Sequence, residues 1–459
     1  MQILQIILAL SILVLIHELG HFTFARIFGI RIDKFFLFFD AGGFKLFSTR
    51  SPWFLKIFPK AAEWEAEYGI GWLPLGGYCK VNGMIDESMD TEHLKNEPKP
   101  WEFRSKPAWQ RLIVMLAGVT MNVLLAMVIY TGVLYTWGES YVHGDDVRYG
   151  YMFDQKAREL GFENGDKIVS VNGKSVESIN ELMLQLVLVD SDTDIEVERG
   201  GQRQHLTISL SDMVELRESG EWNNIYAKVI TNPYIIDSIS SDNALQAGLL
   251  PGDHIIAMGD QPTPDRRIGD AILNEYRGRE LELSVVRHNI DSLNRATIDT
   301  LQLPTMVSEE GRIGVMLAYE PIVERTREYT FWESIPAGIS YAGEQIASYW
   351  NQLKMIVNRE TKMYNQVGGF LSIGSVFPDE WNWLSFWNIT ALISIMLAVM
   401  NLLPIPGLDG GHALFTLWEI ITRRKPSDKF MVVVQWIGLI LLFALLIYAN
   451  GNDIIRFFF

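Results

Sequence analysis

The chain has 459 residues, 48% of them apolar, and its 39 basic against 55 acidic side chains leave a formal net charge of -16. That acidic balance argues against nucleic-acid binding and against general attachment to anionic lipid surfaces. A single cysteine, Cys79, excludes intrachain disulfides and a cysteine-based zinc site, and the length allows two to four structural units.

The first segment, Gln2 to Ala25, is rich in Leu, Ile, Val and Phe and long enough to cross a bilayer as a helix. It lacks the basic start and small-residue cleavage site of a signal peptide, so it reads as a retained transmembrane helix. Within it stands His17-Glu18-Leu19-Gly20-His21. Histidines spaced i, i+4 share one helical face, where two neutral imidazoles can grip a zinc ion, and the glutamate between them is placed to take a proton from an activated water. Such groups are costly at membrane depth and mark function there.

The stretch Phe35 to Val81, with Phe38-Phe39-Asp40-Ala41-Gly42-Gly43-Phe44 and Pro74-Leu75-Gly76-Gly77-Tyr78, reads as short strands and turns. Apolar non-helical backbone near a membrane must be buried in protein or line a cavity, which a β-element dipping toward the histidines satisfies. A second span runs over Leu112 to Trp137. An internal repeat follows: Ala157, Gly161, Gly165, Asp166 and Ile168 recur at one offset as Ala244, Gly248, Gly252, Asp253 and Ile255. Each copy continues into alternating strands, so two soluble modules of similar fold are expected. Phe331 to Phe377 is helical and amphipathic, with Trp332, Ile335, Ile339, Ile346, Trp350 and Met355 as membrane-surface contacts of an interfacial helix. Trp383 to Leu403 and Phe430 to Tyr448 are the third and fourth spans.

Basic residues between the first two spans (Arg26, Arg31, Lys34) and the last two (Arg423, Arg424, Lys425, Lys429) place both connections in the cytoplasm. The expected layout is a transmembrane helix over 1–30, a cytoplasmic, membrane-reentrant β-region over 31–105, and a second transmembrane helix over 106–138. Two modules over 139–222 and 223–322 and an amphipathic segment over 323–380 lie on the opposite side. A third span over 381–412, a cytoplasmic loop over 413–429 and a fourth span with the C-terminus over 430–459 complete the chain.

Catalytic zinc usually keeps three protein ligands and one open position, so a third must come from another helix at similar depth. At the end of span three the sequence reads Asn401-Leu402-Leu403-Pro404-Ile405-Pro406-Gly407-Leu408-Asp409-Gly410-Gly411-His412. Asp409 is the natural candidate, because prolines and glycines break the helix and let a carboxylate turn inward. His412 competes for that role or supports it from behind.

Together these motifs resemble the site-2 protease family of intramembrane zinc metalloproteases, in its bacterial regulator-of-sigma-E protease branch, over almost the whole chain. His17, Glu18 and His21 match HExxH, and Leu408-Asp409-Gly410 matches the family LDG motif, whose aspartate is implied to be the third ligand. Asn401, Pro404 and Pro406 match an NxxPxP stretch implied to face substrate, with the asparagine on its backbone. Glu67 to Ile70 and Pro74 to Lys80 resemble the branch's membrane-reentrant β-region. Gly118-Val119-Thr120-Met121-Asn122 matches a GPxxN element with Val119 in place of proline, making Asn122 a supporting residue of the site. The duplicated middle resembles tandem PDZ domains facing the periplasm. Departures are Gly368-Gly369 where Gly-Pro is common, a poor first strand (Asp145-Asp146-Val147-Arg148), and no glycine-rich loop for a C-terminal carboxylate in either copy.

The fold expected is thus a four-span α-helical membrane protein with a membrane-associated β-region and two periplasmic PDZ-like α+β domains. The function implied is zinc-dependent hydrolysis of single-span membrane proteins, such as an anti-sigma factor or remnant signal peptides, toward the cytoplasmic side of a bacterial inner membrane. One zinc would be held by His17, His21 and Asp409 with Glu18 as base. An extended substrate would pair with the edge formed by Gly77, Tyr78, Cys79, Lys80 and Val81. The rival is a metal-transporting or scaffolding bundle, which has little need of a base between ligands.

Overall fold

A computed structural model describes residues 1–84, 97–187, 189–222, 225–290, 296–319, 321–358, 364 and 367–458. Part of the expected β-region and of the amphipathic segment lies outside these residues. The chain forms two compact units, Met1–Glu139 with Glu328–Phe459, and Ser140–Arg327.

In the first unit, α1 (Gln2–Ile27) carries the HExxH residues and α2 (Ala108–Trp137) packs beside it. The two backbones meet at Gly20, where a Cβ would come within 2.6 Å of the Ala117 carbonyl oxygen. Between these helices lies a four-stranded sheet of β1 (Ile32–Phe39), β2 (Lys45–Ser48), β3 (Glu67–Gly71) and β4 (Leu73–Val81), ordered β2-β3-β1-β4. β1 runs parallel to β3 and antiparallel to β4, so β4 is an edge strand against α1. Phe36, buried in β1, stacks on Tyr78 of β4 at 5.5 Å, fixing which face of β4 points away from the sheet's core. Phe38 takes a positive φ of 67° where the β1–β4 register shifts, a strained irregularity of the strand.

Further helices follow the second unit in this half. The first is α3 (Phe331–Val357), an amphipathic helix. It runs alongside α2, with Phe331 against Tyr135, Gly338 against Thr131, and Tyr341 in ring contact with Tyr130 at 4.8 Å. Its small residues Ser334, Gly338 and Ala342 are buried, the stripe by which helices approach closely. Trp332, Ile339 and Trp350 are exposed as expected, whereas Met355 is buried and Ile346 packs into the helix cluster.

The third span, α4 (Trp383–Leu402), sits against α2, where Ser394 donates to the Asn122 carbonyl at 2.8 Å. Residues 413–422, expected as a loop, are instead helical. They belong to α5 (Asp409–Thr422), whose Ala413 is buried against α2 and whose Glu419 pairs with Arg111 at 2.6 Å. The last helix, α6 (Asp428–Phe458), leaves Ile437, Ile440, Phe443 and Ile447 exposed, as lipid contact allows. Near its end the buried Asp453 accepts from the Ser372 amide at 3.0 Å, and Asn452 donates to the Val367 carbonyl at 3.2 Å. Among the described residues, α1, α2, α4 and α6 are the helices long and apolar enough to span a membrane.

The second unit contains the repeat as two alike sheets. The first orders strands Lys174–Ser175, Lys167–Val171, Thr193–Arg199 and Gln202–Ile208; the second orders Gln261–Pro262, His254–Met258, Glu280–Ile290 and Ala296–Met306. Each sheet packs a helix, Ile179–Val187 or Arg266–Glu275, over its apolar face, with Ile168, Leu182 and Val197 in one core and Ile255, Ile272 and Val285 in the other. In the opening copy Gly144–Asp146 is a 3-10 turn and Tyr151 then bridges to Val229, where the second copy pairs Ile236–Ile239 with Val315–Leu317.

Candidate active site

One turn of α1 separates His17 from His21, so their rings share a face, 4.9 Å apart and edge-on. The His21 Nδ1 lies 2.8 Å from the Val114 carbonyl oxygen, an acceptor. That nitrogen therefore carries the proton, and Nε2 is left with its lone pair. Both rings lie in a recess above Gly118 of α2. A Cβ there would come within 2.5 Å of His21 Nε2 and 2.6 Å of His17 Cε1.

Asp409 arrives from the kink after α4. Pro404, Pro406 and Gly407 end that helix, and the chain restarts with Asp409 as the first residue of α5, where a carboxylate suits the positive end of the helix dipole. Its Oδ2 is 3.2 Å from His17 Nε2 and 3.3 Å from His21 Nε2, and the two Nε2 atoms are 3.3 Å apart. The three atoms thus form a nearly equilateral triangle. An ion held tetrahedrally at bonds of about 2.0–2.1 Å keeps its ligand atoms about 3.3 Å apart, so the donor set fits zinc. Asp409 Oδ2 is buried and makes no hydrogen bond of good geometry, despite two ring nitrogens beside it. An acceptor in that setting needs a cation.

A cavity of about 350 Å³ opens beside this triangle. Glu18 lines it and accepts a hydrogen bond from the Cys79 backbone amide, so the carboxylate is held at the inner edge of β4. Gly77, Tyr78, Cys79, Lys80 and Val81 all line the same cavity, as do Asn401 and His412. The Asn401 side-chain nitrogen stands 3.4 Å from His17 Nε2. His412 lies one turn along α5 from Asp409 and outside the three-residue cluster. Asn122 reaches His17 from behind, 3.2 Å from Nδ1.

Pro404 and Pro406 do not join the cavity lining, contrary to expectation. Pro406 backs onto Gly438 of α6, whose missing side chain admits the Pro406 carbonyl. The prolines shape the kink and leave the wall of the cavity to Gly407, Leu408 and Asp409. Sequence reasoning missed Gln435, which reaches the cavity from α6; a lone amide within Val432-Val433-Val434-Gln435-Trp436 was the available signal.

Two imidazoles and a carboxylate grouped as a metal could use them, a second carboxylate on the same cavity and four helices able to span a membrane fit the class of membrane-embedded zinc metalloproteases. The sequence profile of peptidase family M50 matches residues 5–445, and the chain belongs to this family, the site-2 proteases. A candidate zinc metalloprotease of Xylella fastidiosa (strain 9a5c) is 28% identical, over 98% of this chain and 97% of the relative. A regulator of sigma E protease of Salmonella typhi is 26% identical over 98% and 97%, and one of Haemophilus influenzae is 25% identical over 98% of both chains. Family membership sets aside the transporter and scaffold reading.

Proposed function

We propose that this protein hydrolyses peptide bonds within the transmembrane segments of single-span proteins, with His17, His21 and Asp409 holding one zinc ion. The single observation that carries this reading is the triangle of ligand atoms, 3.2 to 3.3 Å on each side, at the edge of a cavity that Glu18 also lines. When bound, zinc supplies a Lewis acid that acidifies water and polarises a carbonyl. Glu18 takes the proton from the attacking water and delivers it to the leaving amine. Its hydrogen bond from the Cys79 amide keeps the carboxylate aimed along β4.

A helical substrate hides its carbonyls in its own hydrogen bonds, so it must become extended before attack. β4 is an edge strand lining the cavity, and pairing with it replaces lost helix bonds by ladder bonds. Asn401 holds the substrate backbone near the ligands. Asn122 and His412 support the centre from behind. The basic connections put the site toward the cytoplasmic face and the duplicated modules, read as PDZ-like, on the periplasmic side of a bacterial inner membrane. There the modules exclude substrates with bulky external domains. Anti-sigma factors already shortened outside the membrane and remnant signal peptides are the substrate classes in view, in stress-regulated proteolysis.

Reconstitution with candidate single-span substrates tests this. Native protein should cut them, and Glu18→Gln should retain zinc while losing cleavage; a Glu18→Gln protein with full turnover would refute the assignment of the base.

A further inference from the structure

The fourth span contributes one polar group to the cavity. α6 is the least buried of the four spanning helices, with 11% of its apolar window enclosed. Yet Gln435 is only 6% exposed and lines the cavity together with His17, Glu18, Asn401 and Asp409. Its position follows from how α6 is seated. Gly438, one turn on, lies against Pro406, and Leu442 lies beside Gly407, so α6 rests on the kink that presents Asp409. Gln435 then falls on the cavity wall. Its flanking residues Val433, Trp436 and Ile437 face outward.

Among the described residues, the side-chain amide of Gln435 makes no hydrogen bond, in contrast with Asn401, Asn122, Ser394 and Asp453 elsewhere in the helical unit. The residue is thus enclosed by its neighbours while its amide is left to the cavity, where an entering polar group can pair with it. A primary amide carries both a donor pair and an acceptor, the same complement that an extended peptide group presents. We propose that Gln435 binds the backbone of the extended substrate, so that the peptide is held by β4 on one wall and by the fourth span on another. Contact with backbone lets the site accept substrates of differing sequence. This inference rests on the reading of the cavity as a substrate groove.

The test uses full-length protein in the Glu18→Gln background, which traps uncut substrate, with a panel of single-cysteine single-span substrates under oxidising conditions. One arm keeps Cys79, the chain's sole cysteine; the other carries Cys79→Ala and Gln435→Cys. Disulfide capture by both arms, at neighbouring substrate positions, is the expected result. Capture through Cys79 alone overturns the role of Gln435 and leaves the groove intact; capture by neither arm overturns the groove itself. In the active protein, Gln435→Leu should raise KM about 5- to 10-fold with kcat changed less than about twofold and zinc content unaltered, and Gln435→Asn should recover part of the loss. A fall in kcat or zinc content with KM unchanged would show a structural role and overturn the proposal.

Discussion

The side chain of Asn122 meets the ring of His17 in the buried seam between α1 and α2, 3.2 Å from Nδ1, while the Asn122 Oδ1 is buried with no partner. Turning the amide so that Oδ1 faces the ring satisfies both groups at once: Oδ1 accepts from Nδ1–H, and Nε2 keeps the lone pair that a metal needs. His21 reaches the same tautomer through the Val114 carbonyl. Asn122→Ala should weaken zinc binding about 10- to 100-fold, measured by competition with a chelator, and Asn122→Asp, which keeps an acceptor, should restore most of it. Equal zinc affinity in Asn122→Ala would remove Asn122 from the metal centre.

Gly118→Ala separates helix propensity from site geometry. In an ordinary helix interior this change stabilises by about 1 kcal/mol. Here the added methyl falls on the imidazoles of His17 and His21. Zinc content and cleavage should drop together by more than about tenfold, with helical circular dichroism unchanged; a fully active, zinc-replete variant would contradict the close approach of α2.

The ion pair Arg111–Glu419 ties α5, and hence Asp409, to α2, with side chains only 10% and 18% exposed. Removing one partner leaves a buried charge, so Glu419→Ala should cost about 3 kcal/mol, read as a lowered unfolding midpoint in detergent. The double variant Arg111→Leu, Glu419→Leu should recover much of that loss.

The repeat is written into the fold as a repeated ion pair. Arg199 forks onto Asp166 and Arg287 onto Asp253, each with two contacts of 2.7 Å, and each arginine also donates to a glycine carbonyl, Gly161 or Gly248. Beside the second pair, burial and the neighbouring His288 hold His254 below the usual histidine pKa. A histidine kept neutral by the fold favours unfolding once it must take a proton. Its module is therefore fully stable above about pH 6.5 and loses stability as pH falls from there through the lowered folded-state value. Hydrogen exchange at strand His254–Met258 in the full chain should accelerate over that interval, and His254→Phe should flatten the dependence.

That His17, His21 and Asp409 come together was legible because the signals are local: HExxH is spaced for one helical face, and a carboxylate between Pro404-Ile405-Pro406-Gly407 and Gly410-Gly411 has room to turn inward. The repeat was legible because matching glycines and aspartates recur at one offset. The aromatic residues of α3 are conspicuous in the sequence, whereas the stripe Ser334, Gly338, Ala342 by which it packs on α2 carries no such signal. α5 was hidden by the glycines at its start, which suggest a loop although the helix begins at Asp409. Gln435 escaped notice because a single amide in an apolar run has no period to place it; only the seating of Gly438 on Pro406 turns it toward the cavity.

The central claim is that one zinc is held by two imidazoles and a carboxylate brought from the two ends of the chain. X-ray absorption at the zinc edge of the purified full-length protein tests it most directly. One zinc per chain, with two imidazole nitrogens and a carboxylate oxygen at about 2.0–2.2 Å, and loss of this signal in Asp409→Ala, is the result expected. A zinc environment without imidazole scattering, or one indifferent to the removal of Asp409, would contradict it.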